Sequence, residues 1–171
     1  MAILEFLIDY VRWCLEEPVA DGPRDWAARV SRAVGRVEEA FARHVKLLEA
    51  PGGPLDHVAD PGLLPFGAQE QEARRLRQQH AALSTQIRCV GELFRNGLLL
   101  VAPPPGTPLQ GGAADALAEA RAHRLLAVLG PCVGDLLAGL ANHLAAESRV
   151  LAYKASGRAA HPVRRATSPR P

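Results

Sequence analysis

Apolar residues recur along the chain with the three-to-four-residue spacing of amphipathic helices, and proline and glycine cut the pattern into segments. The first segment, 2–17, sets Leu4, Leu7, Val11 and Cys14 on one stripe. The second, 24–50, aligns Trp26, Val30, Val34, Val37, Phe41, His44 and Leu48, and the third, 68–96, aligns Leu76, His80, Leu83, Ile87, Val90 and Phe94. A shorter segment, 113–129, reads with Leu117, Leu125 and Val128 on its stripe. The last, 132–156, carries Val133, Leu137, Leu140, Leu144 and Leu151. Gly130-Pro131 stands between these two. A proline inside a helix removes a hydrogen bond and crowds the preceding turn. One unbroken helix over 113–156 would also be about 65 Å long. The spacing therefore predicts a break at Pro131.

No segment alternates with strand period. The run 98–101 leads into Pro103, Pro104 and Pro105, and reads as a helix end or an extended linker. The predicted fold is all-α: an antiparallel up-down four-helix bundle with an additional short helix over residues 1–156. A disordered basic tail is expected at 157–171. Pro51-Gly52-Gly53-Pro54 follows a helix, so it reads as a helix stop and not as a phosphate cradle.

Composition supports this. Of 171 residues, 48% are hydrophobic and 22% charged, enough apolar material for a core, while aromatics at 5% and sparse β-branched residues argue against a sandwich or barrel. Twenty basic and 18 acidic residues give a net charge of +2. Arg158, Arg164, Arg165 and Arg170 lie in the acid-free tail, leaving a slightly acidic body without the basic face of a nucleic-acid binder. The N-terminus lacks a basic leader, and the longest apolar stretch, 125–141, falls short of a bilayer span. A soluble, cytoplasmic protein with no membrane or nucleic-acid partner is expected. Cys14, Cys89 and Cys132 form no CxxC pair and sit in apolar stretches, so they read as small core side chains.

Signatures of phosphate-binding loops, zinc proteases and serine hydrolases are absent. The informative residues are polar ones on apolar stripes. His44, His80 and His143 each lie on the stripe of a different long segment, and Glu147 follows His143 by one helical turn. A carboxylate on such a stripe is costly unless it is paired, hydrogen-bonded or bound to a metal. Imidazoles from three helices with one carboxylate make the inventory of a metal site in a bundle core. Glu49, five residues after His44, can join at the helix end as a further ligand or as a supporting acceptor. His57 sits in a Pro/Gly-rich loop, His123 lies off its stripe and His161 belongs to the tail; Trp13 and Trp26 read as core or edge anchors.

The order ARHVKLLEAPGGPLDHV, EARRLRQQHAALSTQI, LLAGLANHLAAESRVL resembles bacterial hemerythrin-like (HHE cation-binding) domains over about residues 30–96 and 132–153. The resemblance implies a four-helix bundle with iron held between helices. It sets His44 on the second-helix histidine, His80 on the third-helix histidine, and His143 with Glu147 on the fourth-helix HxxxE. The chain departs from the pattern in three places. The first segment has no histidine. Leu48 stands where a bridging glutamate belongs, with Glu49 one residue later. Ser84 stands where a second third-helix ligand is common. The ligand set is thus at most His44, Glu49, His80, His143 and Glu147.

Two functional readings stand side by side. One is a metal-binding hemerythrin-like bundle, with iron implied by the resemblance and zinc or manganese compatible with the donors. Sensing of O2, NO or peroxide, or metal storage, would be its role. The other is a non-catalytic helical interaction module that kept the fold and lost the metal. An exposed apolar stripe on the first helix would then mark a homodimer or protein partner.

Overall fold

A computed structural model describes residues 2–17, 22–55, 66–101 and 112–159. Four helices account for nearly all of them: α1 (Ala2–Glu16), α2 (Pro23–Glu49), α3 (Phe66–Val101) and α4 (Ala113–Ala159). No strand occurs among the described residues. The helices form where the apolar stripes are continuous. On α1 the stripe is Leu4, Leu7, Ile8, Val11 and Cys14, and on α2 Val30, Val34, Val37 and Phe41 are at most 2% exposed. On α3 every stripe residue named above is buried. Burying each of the Val, Leu, Ile and Phe side chains among them contributes about 1.5–3 kcal/mol.

The helices pack into one bundle. α2 touches the other three, α4 likewise, and α1 and α3 sit apart on opposite sides. At one end Leu48 of α2, Leu55, and Ala73 and Leu76 of α3 form a small cluster against Val150 and Leu151 of α4. At the other end the position of Gly97 on α3 is closed off by the Leu125 side chain of α4. There Glu119 of α4 accepts from the Arg24 N–H in the first turn of α2, at 3.2 Å. Gly22 precedes that turn at φ 103°, a left-handed conformation suited to glycine. Trp26 anchors the same end by donating its indole N–H to the Cys14 carbonyl at 2.5 Å.

The stop after α2 is built from its glycines. Gly53 N–H donates to the Ala50 carbonyl at 2.7 Å and Leu55 N–H to the Leu48 carbonyl at 3.1 Å. A Cβ at Gly53 would lie 2.7 Å from the Leu48 carbonyl oxygen, so no larger residue fits the turn as it stands. The turn tucks Leu55 into the bundle end and leaves Glu49 beside α3.

Several expectations need correction. The backbone does not break at Pro131: α4 is one 47-residue helix with Pro131 inside it, so the separate short helix over 113–129 merges into it. Packing overrides the local cost, because Ala118, Ala122, Leu126, Leu129, Val133, Leu137, Leu140 and Leu144 form one buried stripe through the proline. That stripe also replaces the one read from Leu117 and Val128, which are 52% and 63% exposed. Small alanines let the N-terminal half of α4 lie close to its neighbours, a contact that hydrophobicity alone does not flag. Cys14 is buried, whereas Cys89 and Cys132 are exposed. The 125–141 stretch was expected to fall short of a bilayer span; by length and composition alone, α4 is long and apolar enough to cross a membrane, its most apolar 18-residue window reaching a mean hydropathy of 1.6 within Asp115–Ala152. The run 98–101 is the end of α3. α4 extends through Ala159, past the expected start of the tail; residues 160–171, with His161, and the loop bearing His57 lie outside the described residues.

Candidate metal centre

The bundle end closed by the Leu55 turn holds a polar cluster in an otherwise apolar interior. His44 lies one turn beyond Phe41 on α2, His80 one turn beyond Leu76 on α3, and His143 one turn beyond Leu140 on α4. Stripe positions face the bundle axis, so three rings from three helices converge. His80 and His143 are 1% and 4% exposed and Glu147 is fully buried. His44 is partly buried. The His80 ring lies 4.8 Å from that of His143 and 5.9 Å from that of His44, between centroids. One ligand atom from each of His44, His80, His143 and Glu147 falls within 4.8 Å of all the others.

The Oε2 atom of Glu147 is the focus. His44 Nε2 donates to it at 2.8 Å, and the Nε2 atoms of His143 and His80 stand 3.4 and 3.7 Å away. The latter two nitrogens have no hydrogen-bond partner, nor does Glu147 Oε1. Their outer nitrogens are engaged: His80 Nδ1 donates to Glu49 Oε1 at 2.7 Å, and His143 Nδ1 donates to Gln79 Oε1 at 3.0 Å. A neutral imidazole with its proton on Nδ1 carries a lone pair on Nε2. In their neutral form, with the proton on Nδ1, His80 and His143 would each offer a buried Nε2 lone pair beside Glu147 Oε2. Donors of this kind bind a metal at about 2.1 Å, which sets about 3.4 Å between neighbouring ligand atoms of a tetrahedron. The His143 spacing of 3.4 Å matches that edge, that of His80 is slightly longer at 3.7 Å, and that of His44 is shorter at 2.8 Å.

Electrostatics agree with an ionised Glu147. Burial raises its carboxyl pKa, but the imidazoles of His143, His44 and His80 outweigh burial and hold it well below the usual carboxylate range. Burial pushes His80 down, yet the facing carboxylates of Glu147 and Glu49 outweigh it and hold its pKa above the ordinary 6.5. Without an ion, then, Glu147 is ionised and the protonated form of His80 is favoured.

The structure brings all five proposed ligands into one neighbourhood and separates their places. Four converge; Glu49 instead sits behind His80, on its far nitrogen. Two contributors were not foreseen. Gln79 immediately precedes His80 and reaches across to α4, a role its half-buried place beside the stripe could have suggested. Phe41 was read as core, and its ring in fact walls the site, with centroids 6.0, 5.9 and 6.2 Å from those of His44, His80 and His143. His123, expected off the stripe, is exposed on α4 far from the cluster in sequence.

No family model, curated protein or solved structure matches this chain.

Proposed function

We propose that the chain is a metal-binding helical bundle that holds one divalent transition-metal ion on His44, His80, His143 and Glu147. The observation that carries this reading is the pair of buried, partnerless Nε2 atoms of His80 and His143. Each is fixed from behind, by Glu49 and Gln79, and both face the ionised Glu147. Outer hydrogen bonds of this kind set the tautomer and orientation of metal-ligating histidines. Three imidazoles and a carboxylate suit iron, zinc, manganese or cobalt. The hemerythrin-like order of the ligands favours iron, and an iron centre with an open position would serve O2, NO or peroxide sensing, or storage. The chain's own part is clear from the donor set: Glu147 supplies the charge, His80 and His143 supply preset lone pairs, and His44 gives up its Nε2 proton when the ion arrives.

The end-to-end contacts of Leu48 with Leu76 and of Gly97 with Leu125 support an up-down bundle with α3 antiparallel to α2 and α4. The free thiols Cys14, Cys89 and Cys132 fit a reducing, cytoplasmic setting. A second reading, an interaction module with a lapsed site, has one observation in its favour. The 2.8 Å His44–Glu147 and 2.7 Å His80–Glu49 pairs already satisfy part of the cluster without an ion.

Metal analysis of protein purified from iron-supplemented cells separates the two, together with thermal melts in Fe2+, Zn2+ and chelator. The metal reading expects near-stoichiometric metal and a melt raised by it; at a hundredfold excess over Kd the stabilisation is about 2.7 kcal/mol. Metal-free protein whose melt ignores every ion leaves the interaction module.

A further inference from the structure

Helix α1 has a second apolar face that the bundle leaves largely exposed, with Tyr10 alone partly buried against the core. Its inner stripe, Leu4, Leu7, Ile8, Val11 and Cys14, is buried against α2 and α4. A quarter-turn or more around the helix lie Ile3, Phe6, Tyr10 and Trp13. Ile3 is 70% exposed, Phe6 68% and Trp13 45%. The rings form a ladder, Phe6 on Tyr10 at 6.5 Å and Tyr10 on Trp13 at 5.9 Å. Arg29 of α2 lies over the outer ring, 4.8 Å from the Trp13 ring centroid, and fixes its position. A contiguous aromatic stripe on an outer helix is the kind of exposed patch that marks an interaction surface.

We propose that this face is the interface of a two-fold dimer, with α1 of one copy packed antiparallel against α1 of a second copy. Three features commit it to that occupant. First, the spacing of the stripe is three, four, three, the same in either direction. Turned about a two-fold axis beside residue 8, Ile3 falls opposite Trp13 and Phe6 opposite Tyr10, a small residue on a large one at the ends and ring on ring at the centre. Self-complementarity of one patch is what a two-fold interface requires, and this spacing gives the layers of an antiparallel coiled coil.

Second, the acids at the C-terminal end of α1 run against its own dipole, whereas Glu5 in the first turn runs with it. Glu16 and Glu17 stand at its C-terminal end, and its last turn has no basic residue. Acids are unfavourable there and favourable beside a helix N-terminus. An antiparallel second copy brings its N-terminal turn next to them, whereas a parallel copy sets acid beside acid. Near the axis the two Asp9 side chains are each already covered by Arg12, at 3.1 Å. Third, Glu5, Asp9, Glu16 and Glu17 outnumber Arg12, so the helix repels the anionic surface that a membrane-binding amphipathic helix seeks. A single helix face is small for an interface, so the dimer forms at about 10–100 µM.

Sedimentation equilibrium of the full chain in chelator, over about 5–500 µM, tests this independently of any metal. Phe6→Lys and Tyr10→Glu should each weaken dimerisation by tenfold or more, with unchanged helical circular dichroism. An equimolar mixture of the two should restore a dimer, because the antiparallel register places the new lysine against the new glutamate and keeps one native Phe6–Tyr10 layer. If Tyr10→Glu fails to fold, Ile3→Lys with Trp13→Glu makes the same test at the end layer. A chain monomeric at 500 µM overturns the proposal. So does a mixture that stays monomeric, or a monomeric wild type that binds phosphatidylserine vesicles through Phe6.

Discussion

His143 Nε2 and Glu147 Oε2, one turn apart on α4, stand 3.4 Å from each other with no hydrogen bond to hold them there. The separation is set from outside the pair. Gln79 grips the far side of the His143 ring, and His44 of α2 donates to the same glutamate oxygen. Three helices thus fix a gap that an ion of about 2.1 Å bond length spans.

His143→Ala removes one of four donors. Metal affinity, read by titration calorimetry, should fall by more than the ~10–100-fold typical of supporting residues. Chelated protein should keep its helical content. Affinity within a factor of three of wild type would remove His143 from the ligand set.

Glu49→Gln and Gln79→Leu touch no ion directly. Each should cost ~10–100-fold in metal affinity by loosening a ring. Glu49→Gln also removes a carboxylate that raises the His80 pKa, so the His80 titration followed by NMR should move down in that variant and not in Gln79→Leu.

Glu147→Gln tests the charge at the focus. In the chelated protein it exchanges a satisfied carboxylate for an amide among three imidazoles, and the melt should show a loss of about 1–3 kcal/mol. The metal-dependent rise in melting temperature should vanish, because a neutral amide replaces the only anionic donor. A metal-dependent rise equal to that of wild type would show that the ion binds elsewhere.

The metal-free protein should have an acid-shifted stability profile. Glu147 has a folded pKa below its ordinary 4.5, so its contribution is full above that value and is lost as pH falls through the folded value. His80 has a folded pKa above 6.5, so its contribution is full below 6.5 and is lost as pH rises through the folded value. Urea melts in chelator should therefore weaken on the alkaline side. With metal the alkaline trend should reverse, since binding competes with protons on the histidines. Parallel profiles with and without metal would contradict coupling of the ion to these groups.

Pro131→Ala should stabilise the chain. Pro131 is exposed and leaves the Ala127 carbonyl without its helical donor, so alanine restores a hydrogen bond and loses no packing. A gain of up to about 3 kcal/mol is expected in thermal or urea melts. A loss would show that the proline is needed for the course of α4.

The helices and most of the core were legible in the sequence because one stripe per segment leaves little freedom about which face turns inward. Reading the metal-site candidates depended on the same logic: His44, His80, His143 and Glu147 occupy stripe positions, where polar side chains demand a reason. The sequence misled where a local rule competed with a global one. Gly130-Pro131 reads as a break, yet a buried stripe from Ala118 to Leu144 runs through it. Alanine was undervalued as a contact, so the face with Leu117 and Val128 was turned the wrong way. Gln79 escaped because its partner lies 64 positions later, and no periodicity encodes a hydrogen bond between helices.

Phe41 closes one side of the site. Its ring lies against all three histidines, and only His44 reaches toward water, with 11% of its side chain exposed. An ion seated behind that ring leaves only when helices part or His44 swings aside, so exchange follows the slow clock of local unfolding and not that of diffusion. If the chain holds an ion as proposed, that ion then records which metal was at hand when the chain folded. Two cells with the same metal pools today but different histories would hold this protein in different states.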